Sequence, residues 1–518
     1  MIKLNLSVRG GVCIILCFFL SSCIIDVYDE LNENPFEPLV LHEGDVAVYT
    51  GQEINLMYEG SSCQWYETTS ADTDNGFAIL GATANTLTIK NIPEKSVKYF
   101  YCKSVLDGGD RKTSSPFTVA NTGLVQLRIE TLGGEEPTCK KSNPPADWYW
   151  GKSIKNATKV PSRVIMMKGT HKLYDSGDYA ENESGATIKI RGNTSARVGM
   201  RTGKLPYKIK LEEKADLLKY SRPDRKKHKD KDWILLNTSK INTKIGFLVS
   251  ELCGVNYVPA CDVVDVVING IYRGSYILTE AVEESANRIA LDESGYLIER
   301  DPYYWNEDLY FSTPDSFNAV VNYTFKYPSS SLLSPDNENF LYIQDYVRET
   351  YASIEIGSYE SYIDVDSFSA WILAHDILGT SDYAGSNIFI SKYDSNLSPL
   401  RMECPWDFDS IFNRQSAFAS IHVMDMFWFN ALFSSENKIF LDSYKKKYSQ
   451  VRESVLEKTK KELKVFLTNY AERIDIARKL EQDIYGFEWE HVSAEISHAE
   501  SWFESQILWL DSAINALQ

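Results

Sequence analysis

Ser381-Asp382-Tyr383-Ala384-Gly385-Ser386-Asn387 and, a hairpin's length further on, Pro405-Trp406-Asp407-Phe408-Asp409 decide how this chain is read. An Asp with an Asn five residues on, then a second acidic site after a short gap, has a chemically meaningful spacing. In it one carboxylate accepts or orients a hydroxyl, while the amide and the later carboxylate hold divalent metal on phosphates. A lone D-x4-N is common, because Asp and Asn favour loops, and a pair of capped turns between strands is the competing reading. The Trp406 and Phe408 flanks sharpen the signal, since apolar neighbours hold Asp407 and Asp409 at a buried edge.

Outward from this point the pattern changes on each side. The second half, which begins just before this point, is helical. Asp366-Ser367 reads as a cap for a helix carrying Phe368, Trp371, Ile372 and Leu378 up to Gly379. Leu456, Leu463, Leu467, Tyr470 and Ile474 follow a helical stripe, and Trp502, Ile507, Leu508, Leu510 and Leu517 fall on a last helix. Toward the N-terminus, from Gly123 on, strands dominate. Leu124–Ile129, Thr187–Arg191 and Pro206–Leu211 alternate, and Val263–Ile268 meets Ile271–Leu278 across Asn269-Gly270, a strong hairpin signal. A β-rich part followed by a helical part suits a two-lobed domain over 124–515.

Residues 36–121 read as a separate all-β module, with Cys63-Gln64-Trp65-Tyr66, Thr86–Ile89 and Tyr99–Val105 as strands and Asp107-Gly108-Gly109-Asp110 as a turn. A core Trp and a late Tyr-x-Cys strand resemble an immunoglobulin-like sandwich. Cys63 lies on the Trp strand itself, so a Cys63–Cys102 pair would bridge neighbouring strands of one sheet.

The first residues read as a processing signal. Lys3 and Arg9 precede an apolar run, Gly11–Leu20, too short to span a bilayer, which ends in Leu20-Ser21-Ser22-Cys23. That step resembles a bacterial lipobox. It implies a signal peptide over 1–22, lipidation at Cys23, an acidic tether over 23–35, and a bulk held outside the cytoplasm on a membrane. A net charge of -18 over 518 residues argues against a nucleic-acid partner. The six cysteines beyond the signal show no C-x-x-C spacing, so no structural zinc site is expected. Arg222–Lys231 is a basic run in an acidic chain; it reads as a solvated loop, with attraction of an acidic substrate as its other use.

Five motifs in order carry a family likeness: Ile190–Ser195, Lys204–Lys210, Asp232–Leu236, Gly270–Tyr276 with Glu280, and the two acidic stretches. Over roughly 124–515 the chain resembles the spore coat protein H (CotH) kinase family, an atypical branch of the protein-kinase-like fold. The resemblance implies a multidomain protein in which an all-β immunoglobulin-like sandwich precedes an α+β kinase-like domain. It implies transfer of phosphate from ATP, with Mg²⁺ or Mn²⁺, to Ser or Thr hydroxyls of a protein. By motif, Asp382 resembles the catalytic Asp, Asn387 and Asp407 the metal-holding pair, and Asp409 a further ligand or support. Arg191 sits in a turn suited to covering phosphates. Lys204 and Lys208 are alternative candidates for the phosphate lysine, and Glu280 is placed where a hinge meets adenine, or else pairs with Arg288. The alternative is a surface-binding lipoprotein whose kinase-like domain does not turn over. A metal-dependent hydrolase is weaker, because the cluster lacks the histidines that complete such sites.

Overall fold

The structure is a computed structural model, and it describes residues 39–145, 153–155, 157–221, 228–314, 320–380, 387–412, 427–434 and 436–517. The signal segment, Cys23 and the acidic tether lie outside these residues, as do Asp382 and most of the Arg222–Lys231 run. The chain divides into two compact units, Met1–Arg128 with Ile165–Asp175, and Ile129–Val164 with Ser176–Gln518.

In the first unit, two sheets close on one core. One contains Gly44–Ala47, Ser62–Thr68, Phe77–Ala78, Ser96–Val105, Arg111–Thr113 and Phe117–Asn121; the other contains Leu39–Leu41, Ile54–Met57 and Thr86–Ile89. Alternation puts Cys63 and Trp65 on one inward face, where they meet Ile54, Leu56, Phe100 and Val119. Trp65 is fully buried, and its indole N–H donates to the Ala84 carbonyl at 2.9 Å, so its one polar atom is satisfied. Cys63 and Cys102 do lie on neighbouring antiparallel strands, with Trp65 opposite Cys102, but both thiols are free. Burial, then the Cys63 neighbour, pushes the Cys102 thiol up to about 12.

The second unit is built on an antiparallel sheet in the order Cys261–Ile268, Ile271–Glu280, Asp230–Leu236, Tyr207–Ala215, Ala186–Ile190. Asn269-Gly270, read from the sequence as a hairpin turn, joins the first two strands, with φ of 51° and 76°. Two positive φ values in succession are what a type I′ turn requires. Cys261–Ile268 is buried along its whole length rather than alternating. The helices Asn242–Cys253 and Lys438–Tyr485 pack against each other and on this part of the sheet.

A second antiparallel sheet interrupts the helical half, in the order Tyr310–Pro314, Val320–Tyr327, Tyr296–Arg300, Ile388–Lys392, Leu400–Met402. Two of its pairings, of Tyr296–Arg300 with Val320–Tyr327 and with Ile388–Lys392, join distant segments, which local pattern does not reveal. The helix Val365–Leu378 begins two residues earlier than the expected cap: Asp364, not Asp366, accepts from the Ser367 N–H at 3.0 Å. It ends at Gly379 with φ 57°, as expected. On the long helix Lys438–Tyr485 the buried face carries Val455, Leu463, Phe466 and Ile474, so Leu456 and Leu467 lie one residue out of phase with it. Leu508 on the last helix is exposed, while Phe503, Ile507, Leu510 and Ile514 form its buried stripe.

Glu403, just past the last strand of the second sheet, accepts from Ser391 Oγ at 2.5 Å, and its other oxygen is buried with no partner. Burial pushes its carboxyl up to about 7 from 4.5. The folded chain therefore binds a proton there that the unfolded chain has released. Its ionisation removes stability as pH rises from the ordinary carboxylate range through about 7, and the loss levels off above that. In Glu403→Gln this loss, on the order of 3 kcal/mol, is expected to disappear. Melting curves at pH 5 and pH 8 check it: wild type drops further than the variant, and equal drops would contradict the assignment.

Candidate active site

Strand register assembles a cleft in the second unit. Arg300 pairs with Ile388 across antiparallel strands, which sets Asp301 beside Asn387 at one end of the sheet. Ile390 pairs with Met402, so the chain returning through Pro405 brings Trp406–Asp409 back to the same end. From the first sheet, Ala186–Ile190 delivers Arg191, Gly192 and the start of helix Thr194–Thr202, and Asp230–Leu236 delivers Asn237 and Thr238. These residues enclose a cleft of about 480 Å³.

In the Trp406-Asp407-Phe408-Asp409 stretch the apolar flanks are buried as expected, but they hold only Asp407, not Asp409, at a buried edge. Trp406 and Phe408 are buried, 7% and 2% exposed, while Asp407 is half-buried and Asp409 is exposed. Phe247 meets both rings, with centroids at 5.8 Å and 5.5 Å. Gly246 is required there, since a Cβ at that position would collide with the Phe408 ring. Asn242, also buried, turns its amide toward the carbonyls of Phe408 at 3.3 Å and Ile411 at 3.4 Å. One helix, Asn242–Cys253, thus anchors the acidic turn from below.

Asn387 and Asp407 come together: Asn387 Nδ2 donates to Asp407 Oδ2 at 3.5 Å. Both residues hold φ of 64°. The left-handed region costs a non-glycine residue energy and persists only where surrounding structure enforces it, often at functional sites. Asp409 lines the same cleft. The donors are all hard oxygens, the ligand type that suits Mg²⁺ or Mn²⁺ rather than a soft metal. Among the described residues no three His, Cys, Asp or Glu side chains group closely enough to hold an ion by themselves. The Asn387–Asp407 pair with Asp409 at its rim would make only part of an ion's ligand set.

Arg191 is half-buried at the cleft. Burial lowers its pKa, and the Asp407 and Glu299 carboxylates work against that loss. The other three nucleotide candidates stand elsewhere. Lys204 is 1% exposed, in an ion pair with Glu481 at 2.8 Å and a hydrogen bond to the Ser275 carbonyl at 2.9 Å. It sits over the Tyr276 and Trp489 rings and does not line the cleft. Lys208 pairs with Asp232 at 2.8 Å and is also absent from the cleft. Glu280 is fully buried, accepting from Ala260 N–H at 2.7 Å and Tyr257 OH at 3.3 Å, with His228 Nδ1 on its other oxygen. It neither lines the cleft nor pairs with Arg288, whose partner is Glu283.

Of the cleft residues that the sequence motifs do not include, four carry ionisable side chains: Glu299, Asp301, Tyr303 and Lys240. Glu299 pairs with Lys326 at 2.6 Å. Asp301 accepts from Tyr303 N–H at 2.7 Å and Thr324 Oγ1 at 3.2 Å. Burial, then Glu299, pushes Asp301 up to about 7. The available signal was Glu299-Arg300-Asp301, charges closing an apolar strand; nothing local said which chain end that strand would face.

The cleft offers oxygen donors for a hard cation, Arg191 and Lys240 for an anion, and the amino end of a helix at Thr194. No curated protein matches the chain. The family model described as CotH kinase protein matches residues 188–505, well over half of the sequence and the whole of the cleft. This chain belongs to the CotH kinase protein family.

Proposed function

We propose that this protein is an exported, lipid-anchored atypical protein kinase that moves the γ-phosphate of ATP to Ser or Thr hydroxyls of a protein. The observation that carries the reading is the meeting of Asn387 and Asp407, both in left-handed backbone, on the wall of a cleft that also holds Arg191. Asn387 and Asp407, with Asp409 beside them, would hold Mg²⁺ or Mn²⁺, and the ion would supply positive charge to offset that of the phosphates. Arg191, Lys240 and the backbone N–H groups at the start of helix Thr194–Thr202 counter the phosphates, the role first sought in Lys204 and Lys208. The Asp407 and Glu299 carboxylates offset the burial of the Arg191 guanidinium, and Asp301 fixes the Tyr303 loop by accepting from its N–H. By motif, Asp382 orients the acceptor hydroxyl. Such a site needs positioning and charge neutralisation more than covalent chemistry.

In this reading Cys23 carries the lipid, the tether that follows frees the body from the membrane, and the N-terminal module is an immunoglobulin-like spacer or binding domain. Two sheets around a core Trp support the last assignment.

ATP with Mg²⁺ or Mn²⁺ is expected to raise the melting temperature. At a hundredfold excess over Kd the linkage gain is about 2.7 kcal/mol. No shift with either metal would contradict the reading.

A further inference from the structure

Every charge in segment 186–211 is positive, although Asp and Glu outnumber Lys and Arg by 72 to 54 in the chain. Within it, helix Thr194–Thr202 carries Arg197 and Arg201 on the side away from the first sheet's core. The helix packs beside a two-stranded ribbon, Lys140–Ser142 with Ser153–Lys155. Lys141, Arg197 and Arg201 line an open groove of about 590 Å³ between them. Lys140 and Lys155 stand directly opposite each other on the ribbon's other face. Like charges at that register repel and destabilise the pair unless an anion or solvent relieves them. None of these five cations forms an ion pair among the described residues. Arg197 reaches only Thr194 Oγ1, at 3.0 Å, and its Nε is buried without a partner.

The groove is continuous with the candidate active site. Thr194 and Val198 line both. Thr194 Oγ1 also lies 3.3 Å from Tyr303 OH, on the cleft wall. Val198 and Met200, 39% and 40% exposed, add an apolar surface to the same helix. A polypeptide whose acceptor hydroxyl enters the cleft would lay its neighbouring residues along Arg197, Arg201 and Lys141.

We propose that this groove is the substrate-docking surface of the kinase and selects an acidic polypeptide segment, rich in Asp or Glu, beside the acceptor Ser or Thr. The inference rests on the kinase reading and names its substrate class. Charge complementarity commits it to an acidic chain. Long-range attraction from the Lys140–Lys155 pair adds to the encounter rate, and the whole effect weakens with salt.

The test uses the full chain, a fluorescent Ser peptide flanked by Glu, and the same peptide with Lys in place of Glu. Anisotropy without nucleotide reads docking; phosphate transfer from ATP reads the reaction. The acidic peptide is expected to bind more tightly and to show the lower KM. Lys141→Glu combined with Arg201→Glu, both exposed and outside the cleft, is expected to raise that Kd and KM about tenfold with kcat little changed. An unchanged melting temperature shows that the variant is folded. Equal binding of both peptides, or no effect of the charge reversal, overturns the proposal. So does tight binding of anionic vesicles or an oligonucleotide without binding of the acidic peptide. Selective docking with no transfer to either peptide would instead contradict the kinase reading and leave the docking surface standing.

Discussion

Asp407→Ala is expected to abolish phosphate transfer, with a loss of at least roughly 10²–10³-fold, the scale on which a single preorganised electrostatic group acts. The same variant is expected to lose the melting-temperature rise with ATP and divalent metal. Its fold should survive, because the turn is held by other atoms. Phe408 is seated on Phe247 and against Gly246, and Asn242 binds the carbonyls on either side of Asp409. Ala is less at ease than Asp at φ 64°, so a modest loss of stability is expected with the fold intact. Arg191 would lose the stronger of its two counter-charges and keep Glu299. Activity comparable to wild type would show that Asp407 serves the fold rather than the reaction.

Lys204→Ala is expected to cost about 3–5 kcal/mol of stability, the scale for breaking one partner of a buried ion pair. Glu481 is fully buried, and its Oε1 takes three donors: Lys204 Nζ at 2.8 Å, Ser275 N–H at 2.7 Å and Ser275 Oγ at 2.8 Å. Without the lysine its charge is left inside the protein. The pair ties the long C-terminal helix to the first sheet, where Gly274 lies so close to Glu481 that no side chain fits. Denaturant unfolding measures the loss. At a temperature where the variant is folded, its KM for ATP should remain near wild type. A large rise in that KM with stability unchanged would return Lys204 to the phosphate site.

The two variants mark what the sequence did and did not make legible. Asp407 was readable because its apolar flanks and its spacing to Asn387 are local. The Asn269-Gly270 hairpin was readable for the same reason. Lys204, Lys208 and Arg191 look alike in pattern. What separates them is Glu481, far along the chain, Asp232 on the neighbouring strand, and the cleft. Glu299 and Asp301 were hidden because their function depends on the pairing of Arg300 with Ile388, a register between distant strands. Phase errors on the long helix have a similar origin. Leu456 and Leu467 are as apolar as Val455 and Phe466, and only the packed neighbours decide which set turns inward. Glu280 resembled a surface or hinge acid by position, yet it is sealed in by Tyr257, Ala260 and His228.

The most direct measurement is transfer of labelled phosphate from ATP to the protein itself and to an acidic Ser peptide, with Mg²⁺ and then Mn²⁺, in wild type beside Asp407→Ala. Label moved by wild type and not by the variant is the predicted result. Equal label in both, or none in either although the acidic peptide docks, would contradict the assignment of phosphoryl transfer to this cleft.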